Sequence, residues 1–158
     1  PAVEQAVARN RGEPIDAKQA IAFAQRAVEL LQDIAGRQSS VYNVHDAMPA
    51  LVQALSDDRR KIVHGAANVL AMVPGPDAQR AVADAALDLK RGAALRRVLL
   101  NSLAACATNH GPQVTDHHRA KLLDLIQKSK GKLAIAAARA HGALAEPTSN
   151  VVKMLTSE

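Results

Sequence analysis

The chain has 158 residues, 48% hydrophobic and 22% charged, with a formal net charge of +5. That length is one domain's worth and can bury a core. Phe23 and Tyr42 are its only aromatics and alanine is abundant, which disfavours a sandwich, barrel or doubly wound sheet and points to an all-helical fold.

The uninterrupted apolar runs, such as Val69 to Val73, Leu103 to Ala107 and Leu133 to Ala138, hold five or six residues each. A bilayer crossing needs about 20, so no membrane partner is expected. The single cysteine, Cys106, leaves no internal disulfide framework and fits a reducing compartment, with the cytoplasm as the expectation. The chain begins at Pro1 without Met and reads as a piece of a longer protein. Charge is unevenly placed: residues 91–158 hold ten bases and four acids, a surplus of six, while residues 1–90 hold ten bases and eleven acids. A basic half of this kind can meet nucleic acid, acidic lipid or an acidic protein surface.

In chain order, residues 1–40 read as N-terminal helices. Pro1 to Asn10 forms a fragment ended by Arg11-Gly12-Glu13-Pro14, and a longer helix runs from Asp16 to about Gln38. Asp16 has the short carboxylate suited to the first-turn amides. At ~100° per residue, Ala20, Ile21, Phe23, Ala24, Ala27, Val28, Leu30, Leu31, Ile34 and Ala35 share half the circumference. So wide an apolar face needs more than one neighbour.

From Asp46 the chain alternates short helices with turns rich in Asp, Gly and Pro. Met48 to Leu55 is a helix, Ser56-Asp57-Asp58 a turn, and a second helix runs to Val73, with Asp57 and Asp58 placed to cap it. Pro74-Gly75-Pro76-Asp77 leads to the pair Ala78 to Leu89 and Ala93 to Ala107. Asn109-His110-Gly111-Pro112 leads to the pair Asp116 to Gln127 and Lys132 to Leu144, with Asp116 as the expected cap. Three helix-pair units, 46–73, 77–107 and 116–145, thus form a single domain, and residues 149–158 read as a terminal helix.

The second helices superpose by spacing. Ile62, Ala66, Ala67, Val69, Leu70 and Val73 match Leu95, Leu99, Leu100, Ser102, Leu103 and Cys106 at a shift of 33, and these match Leu133, Ala137, Ala138, Ala140, His141 and Leu144 at a shift of 38. Helix pairs recurring at such a period bury their apolar faces by stacking on one another, as in an α-solenoid.

Met48-Pro49-Ala50-Leu51-Val52-Gln53-Ala54-Leu55-Ser56-Asp57-Asp58, followed by Ile62, Ala66-Ala67, Val69-Leu70 and Val73, resembles the HEAT repeat, a relative of the armadillo repeat. Leu95-Arg96 fits that family's apolar-basic pair and Leu133 to Leu144 its Ala/Leu stripe, whereas Val63 and Ala134 stand where a basic residue belongs and His141 where a leucine does. The resemblance covers residues 46–145. It implies a short right-handed α-solenoid with the long N-terminal helix packed on one end, a proline-bent first helix, and a non-catalytic scaffold that binds another protein or peptide. Tetratricopeptide repeats have a similar period but lean on aromatic residues that this chain lacks.

Binding is expected on the outward positions of the second helices. In register these read Lys61, His64 and Asn68, then Ala94, Arg97 and Asn101, then Lys132, Ile135 and Arg139. Asn68 and Asn101 share a position, similar to the asparagine ladder with which armadillo repeats hold an extended peptide, since an amide both donates and accepts. The partner-binding candidates are therefore Lys61, His64, Asn68, Arg97, Asn101 and Arg139. The alternative is nucleic-acid backbone binding by Arg91, Arg96, Arg97, Lys128, Lys130 and Lys132, in a half that holds no aromatic for base stacking.

Cys106 and His110, with His117-His118 close in sequence, are the residues from which a zinc site or a Cys-His nucleophile could be built. Their spacing matches no established ligand pattern, and Cys106 falls on the core stripe. No phosphate loop, nucleophile elbow or dinucleotide fingerprint occurs, so no cofactor, metal or catalytic residue is expected. A HEAT-like enzyme such as a bilin lyase or DNA glycosylase ranks last.

Overall fold

The computed structural model describes residues 16–36 and 44–145. The sequence readings at residues 1–15, 37–43 and 146–158 lie outside the described residues. Seven α-helices and one short 3-10 turn occur among the described residues, with no strand. They are α1 Ala17–Gly36, the turn Val44–Ala47, α2 Met48–Ala54, α3 Arg60–Leu70, α4 Pro76–Leu87, α5 Ala93–His110, α6 Asp116–Lys128 and α7 Gly131–Ala143.

The punctuation of the sequence sets most of these boundaries. Pro49 and Pro76 sit in the first turns of α2 and α4, where a missing N–H goes unused. Pro49 therefore starts its helix and bends nothing, unlike the proline that the HEAT resemblance implies. Helix α5 runs three residues past the expected Ala107 and stops at Gly111, whose φ of 76° is costly for any residue with a Cβ. At the start of α6 the cap is Thr115, with Asp116 as the first helical residue. Thr115 and His118 form a capping box, which leaves the Asp116 carboxylate to favour the first-turn dipole. Before α3, Asp57 Oδ1 accepts the Arg59 backbone N–H at 2.7 Å, while Arg59 itself is the N-cap.

Two sets of helices pack by sequence order. The first helices α2, α4 and α6 touch in succession, as do the second helices α3, α5 and α7, while α2 pairs with α3, α4 with α5 and α6 with α7. Among the described residues α2 does not reach α6, nor α3 α7, and α1 packs on α3 and the 3-10 turn alone. The core between the two sets holds Leu51, Leu70, Leu99, Leu100, Leu103, Leu122 and Leu144, all essentially free of solvent. The superposed stripe is buried at nearly every position; Leu95, Leu133 and His141 are half-buried and Ala138 is exposed.

Helix C-termini are closed by donors from neighbouring elements. Arg91 Nη2 donates to the Leu55 carbonyl at the end of α2, at 2.6 Å, and Arg96 Nε to Ala86 in the last turn of α4, at 3.1 Å. Asn109 Nδ2 donates to Ala71 just past α3, at 3.0 Å. Gln79, only 2% exposed, donates its amide to the Gly111 carbonyl at 3.0 Å and accepts the Gln113 backbone N–H at 2.5 Å. Carbonyls that the helices leave unpaired are thereby satisfied, by Arg96 within its own unit and by Arg91 and Asn109 from the next one.

Candidate functional site

The sequence-derived site residues occupy one side of the second helices. Lys61, His64, Asn101, Lys132, Ile135 and Arg139 are exposed, and Asn68 and Arg97 are half-buried. Three of them, Lys61, His64 and Asn68, line a cleft of about 340 Å³ between α3 and α1, whose opposite wall is Gln25, Val28, Glu29 and Gln32. Gly65 forms its floor.

The cleft exists because α1 crosses α3 at Gly65. A Cβ at Gly65 would collide with Val28 Cγ1, so only glycine allows the two helices to lie this close. Gln32 Nε2 donates to the Gly65 carbonyl at 3.3 Å, and Val28 is the one residue of α1 buried outright among those described. Gln25, Glu29 and Gln32 lie outside the apolar half of α1 that the sequence singled out. A glycine inside the otherwise regular helix α3 was the available signal for a close crossing.

Asn68 is engaged within the fold. Its Oδ1 accepts the Ser102 hydroxyl at 3.0 Å, and its Nδ2 lies 3.2 Å from His64 Nε2. A His64–Asn68–Ser102 chain therefore joins α3 to α5 and takes up part of the amide that the ladder reading reserves for a peptide backbone. Asn101, at the matching position of α5, is exposed. Arg139 stands where a third asparagine would complete the row.

The basic residues divide into two groups. Arg96 is only 7% exposed, and with Arg91 it caps first-helix carbonyls; Arg91 also pairs with Asp88 at 3.4 Å. Lys128 pairs with Asp124 at 2.7 Å on the surface of α6. Arg97, Lys130 and Lys132 carry no ion pair among the described residues. The six cations named for nucleic-acid backbone binding are thus reduced to fewer, because guanidinium groups facing the core find helix carbonyls there.

Cys106 lies against the fold's own backbone, with Sγ 3.8 Å from the Leu70 carbonyl, and burial pushes its thiol up to about 12. A thiol held protonated is a poor nucleophile and a poor metal ligand. His118 is turned elsewhere: its Nε2 reaches Asp84 Oδ1 at 3.0 Å, pinning α6 to α4, and its Nδ1 accepts the Thr115 backbone N–H at 3.3 Å. Among the described residues no three His, Cys, Asp or Glu side chains are grouped to hold a metal ion, and no helix is long and apolar enough to cross a membrane.

No protein-family model, no curated protein and no solved structure matches the chain. Among the described residues the chain is all-helical, its second helices expose a flank of mixed polar and basic side chains, and a polar cleft lies where α1 crosses α3.

Proposed function

We propose that this chain is a HEAT-like scaffold, a short right-handed α-solenoid without catalytic chemistry, that binds another protein or peptide along its second helices. The observation that carries this reading is the order of contacts. Each helix of a set touches only its predecessor and successor, the behaviour of stacked repeats, which leaves the outer side of α3, α5 and α7 as one shared flank. Seven of the nine outward positions on that flank are exposed: Lys61, His64, Ala94, Asn101, Lys132, Ile135 and Arg139. The cleft at α1 supplies a concave end with amide, imidazole, ammonium and carboxylate groups, suited to a peptide's mixed donors and acceptors. The cytoplasm suits the single buried thiol.

The test uses Lys61→Glu, Arg97→Glu and Asn101→Ala together, three residues with no side-chain hydrogen bond or ion pair among the described residues. Proteins captured by the wild type and by this variant are compared by quantitative mass spectrometry, with Arg80→Ala on the first-helix side as control. Specific partners are lost from the triple variant and retained by the control. Identical capture by all three would remove the proposal. Duplex-DNA binding is the rival that Arg97, Lys130 and Lys132 support. A titration showing affinity that falls steeply with salt would favour it over a protein partner.

A further inference from the structure

The repeat register compares what covers each second helix. Ala67, Leu100 and Ala138 hold one register position, and Ala71, Ala104 and Gly142 hold another. Both positions are buried at α3 and at α5, the two second helices that have a successor packed against them. On α7, which has none among the described residues, Ala138 and Gly142 are exposed and a Cβ added at Gly142 would meet open space. Ile135, one turn before Ala138, is 70% exposed. A strip covered twice with a helix is, among the described residues, bare the third time.

The charge around the strip is one-sided. At ~100° per residue Lys132 and Arg139 follow one edge of it and Lys130 stands just before the helix; residues 129–145 contain no Asp or Glu, and none of these three cations has an ion pair among the described residues. We propose that this flank of α7 docks an amphipathic helix of a partner protein, with small apolar residues on its buried side and carboxylates along the edge that meets Lys132 and Arg139. The proposal rests on the protein-binding reading above and names the chemistry of the partner. Ala138 and Gly142 permit helix axes to approach to about 8 Å, with Ile135 as the ridge that enters the partner's groove. From Ile135 to Gly142 is about two turns, so a partner helix of about three turns covers the strip. The carboxylates meet Lys132 and Arg139 at that rim, where they direct orientation and speed encounter. A second copy of this chain would bring the same cations against one another, and a phosphate backbone would have no use for Ile135 at the centre.

Fluorescence anisotropy with the full chain tests this. The probe is a labelled synthetic helix of about 18 residues, Leu and Ala on one face and Glu along one border of it, long enough to be helical alone; its twin carries Lys for every Glu. The acidic helix binds, and the Lys twin does not. Affinity for the acidic helix falls at least about tenfold with Ile135→Asp and with Lys132→Glu/Arg139→Glu, all at solvent-exposed sites where the fold tolerates exchange. Equal binding of the twins, or affinity unchanged by Ile135→Asp, overturns the proposal. So does sedimentation showing self-association that Ile135→Asp abolishes, which assigns the strip to a second copy. A chain ending at Ala145 that gains an affinity the full chain lacks assigns it to residues 146–158. Should partner capture still depend on Lys61, Arg97 and Asn101 while Ile135→Asp changes nothing, the scaffold reading stands and only the acidic-helix docking fails.

Discussion

Asp57 and Arg59, two residues apart at the start of α3, form an ion pair that also holds the turn through the Arg59 backbone N–H. The Arg59 side-chain hydrogen bond is the main reason that the Asp57 carboxyl sits at about 2, below its usual 3.8. A carboxyl depressed in the folded state contributes stability that is full above the unfolded value and is lost as pH falls through the folded one. The stability difference between wild type and Asp57→Asn, followed by urea midpoints, therefore holds constant at neutral pH, shrinks from about pH 4 and is largely lost below about pH 2. Both side chains are partly exposed, so added salt reduces the difference as well. Cys106 behaves oppositely: burial raises its thiol to about 12, so the thiolate is scarce at neutral pH. Modification of Cys106 by a thiol reagent is at least about a hundredfold slower in native protein than in denaturant, where the thiol regains its ordinary acidity. Rapid native labelling would contradict the burial of this side chain.

At the level of elements, the junction of α1 with α3 depends on the missing side chain of Gly65. Gly65→Ala adds about 1 kcal/mol of helix propensity but forces Val28 aside, an overpacking cost of about 1–3 kcal/mol. The balance is a loss of stability concentrated in α1, seen as faster amide exchange over Ala17–Gly36 than in wild type. Val28→Ala makes room for the new methyl, so Gly65→Ala costs less in that background, and a double-mutant cycle measures the coupling. Additive effects would mean that α1 does not rest on Gly65. The same junction shapes the cleft: an α1 that shifts moves Gln25, Glu29 and Gln32 away from Lys61, His64 and Asn68.

Across the whole molecule, the order of contacts predicts how damage spreads. Leu144, at the end of α7, is 1% exposed, and Leu144→Ala leaves a cavity worth about 2–4 kcal/mol. When units support only their neighbours, that loss is unevenly felt. Hydrogen exchange should quicken most in α6 and α7, less in α5, and least in α1 and α2. A uniform acceleration would instead indicate one cooperative core and weaken the stacked-repeat reading.

Periodicity and punctuation placed the helices. Gly and Pro interrupt the 3.6-residue pattern, so α2 to α7 were legible to within a few residues, and the buried stripe of α3 was legible in full. The 3-10 turn at Val44–Ala47 and the longer α5 were not, since local hydrogen-bond choice there leaves little trace in apolar spacing. Choosing Asp116 over Thr115 as a cap missed a partner three residues on, the His118 side chain. Arg91 and Arg96 read as surface cations because composition records charge but not direction. By itself the sequence determined an all-helical chain, its helix breaks and which side of each second helix is apolar, because these follow from backbone propensity and a fixed angular step per residue. Only the tertiary structure decided that α1 meets α3 at Gly65, that Asn68 bonds to Ser102, and that Ala138 and Gly142 lie open while their counterparts do not. Those outcomes depend on which neighbour arrives at a given face, and nothing within one helix encodes its neighbour's position.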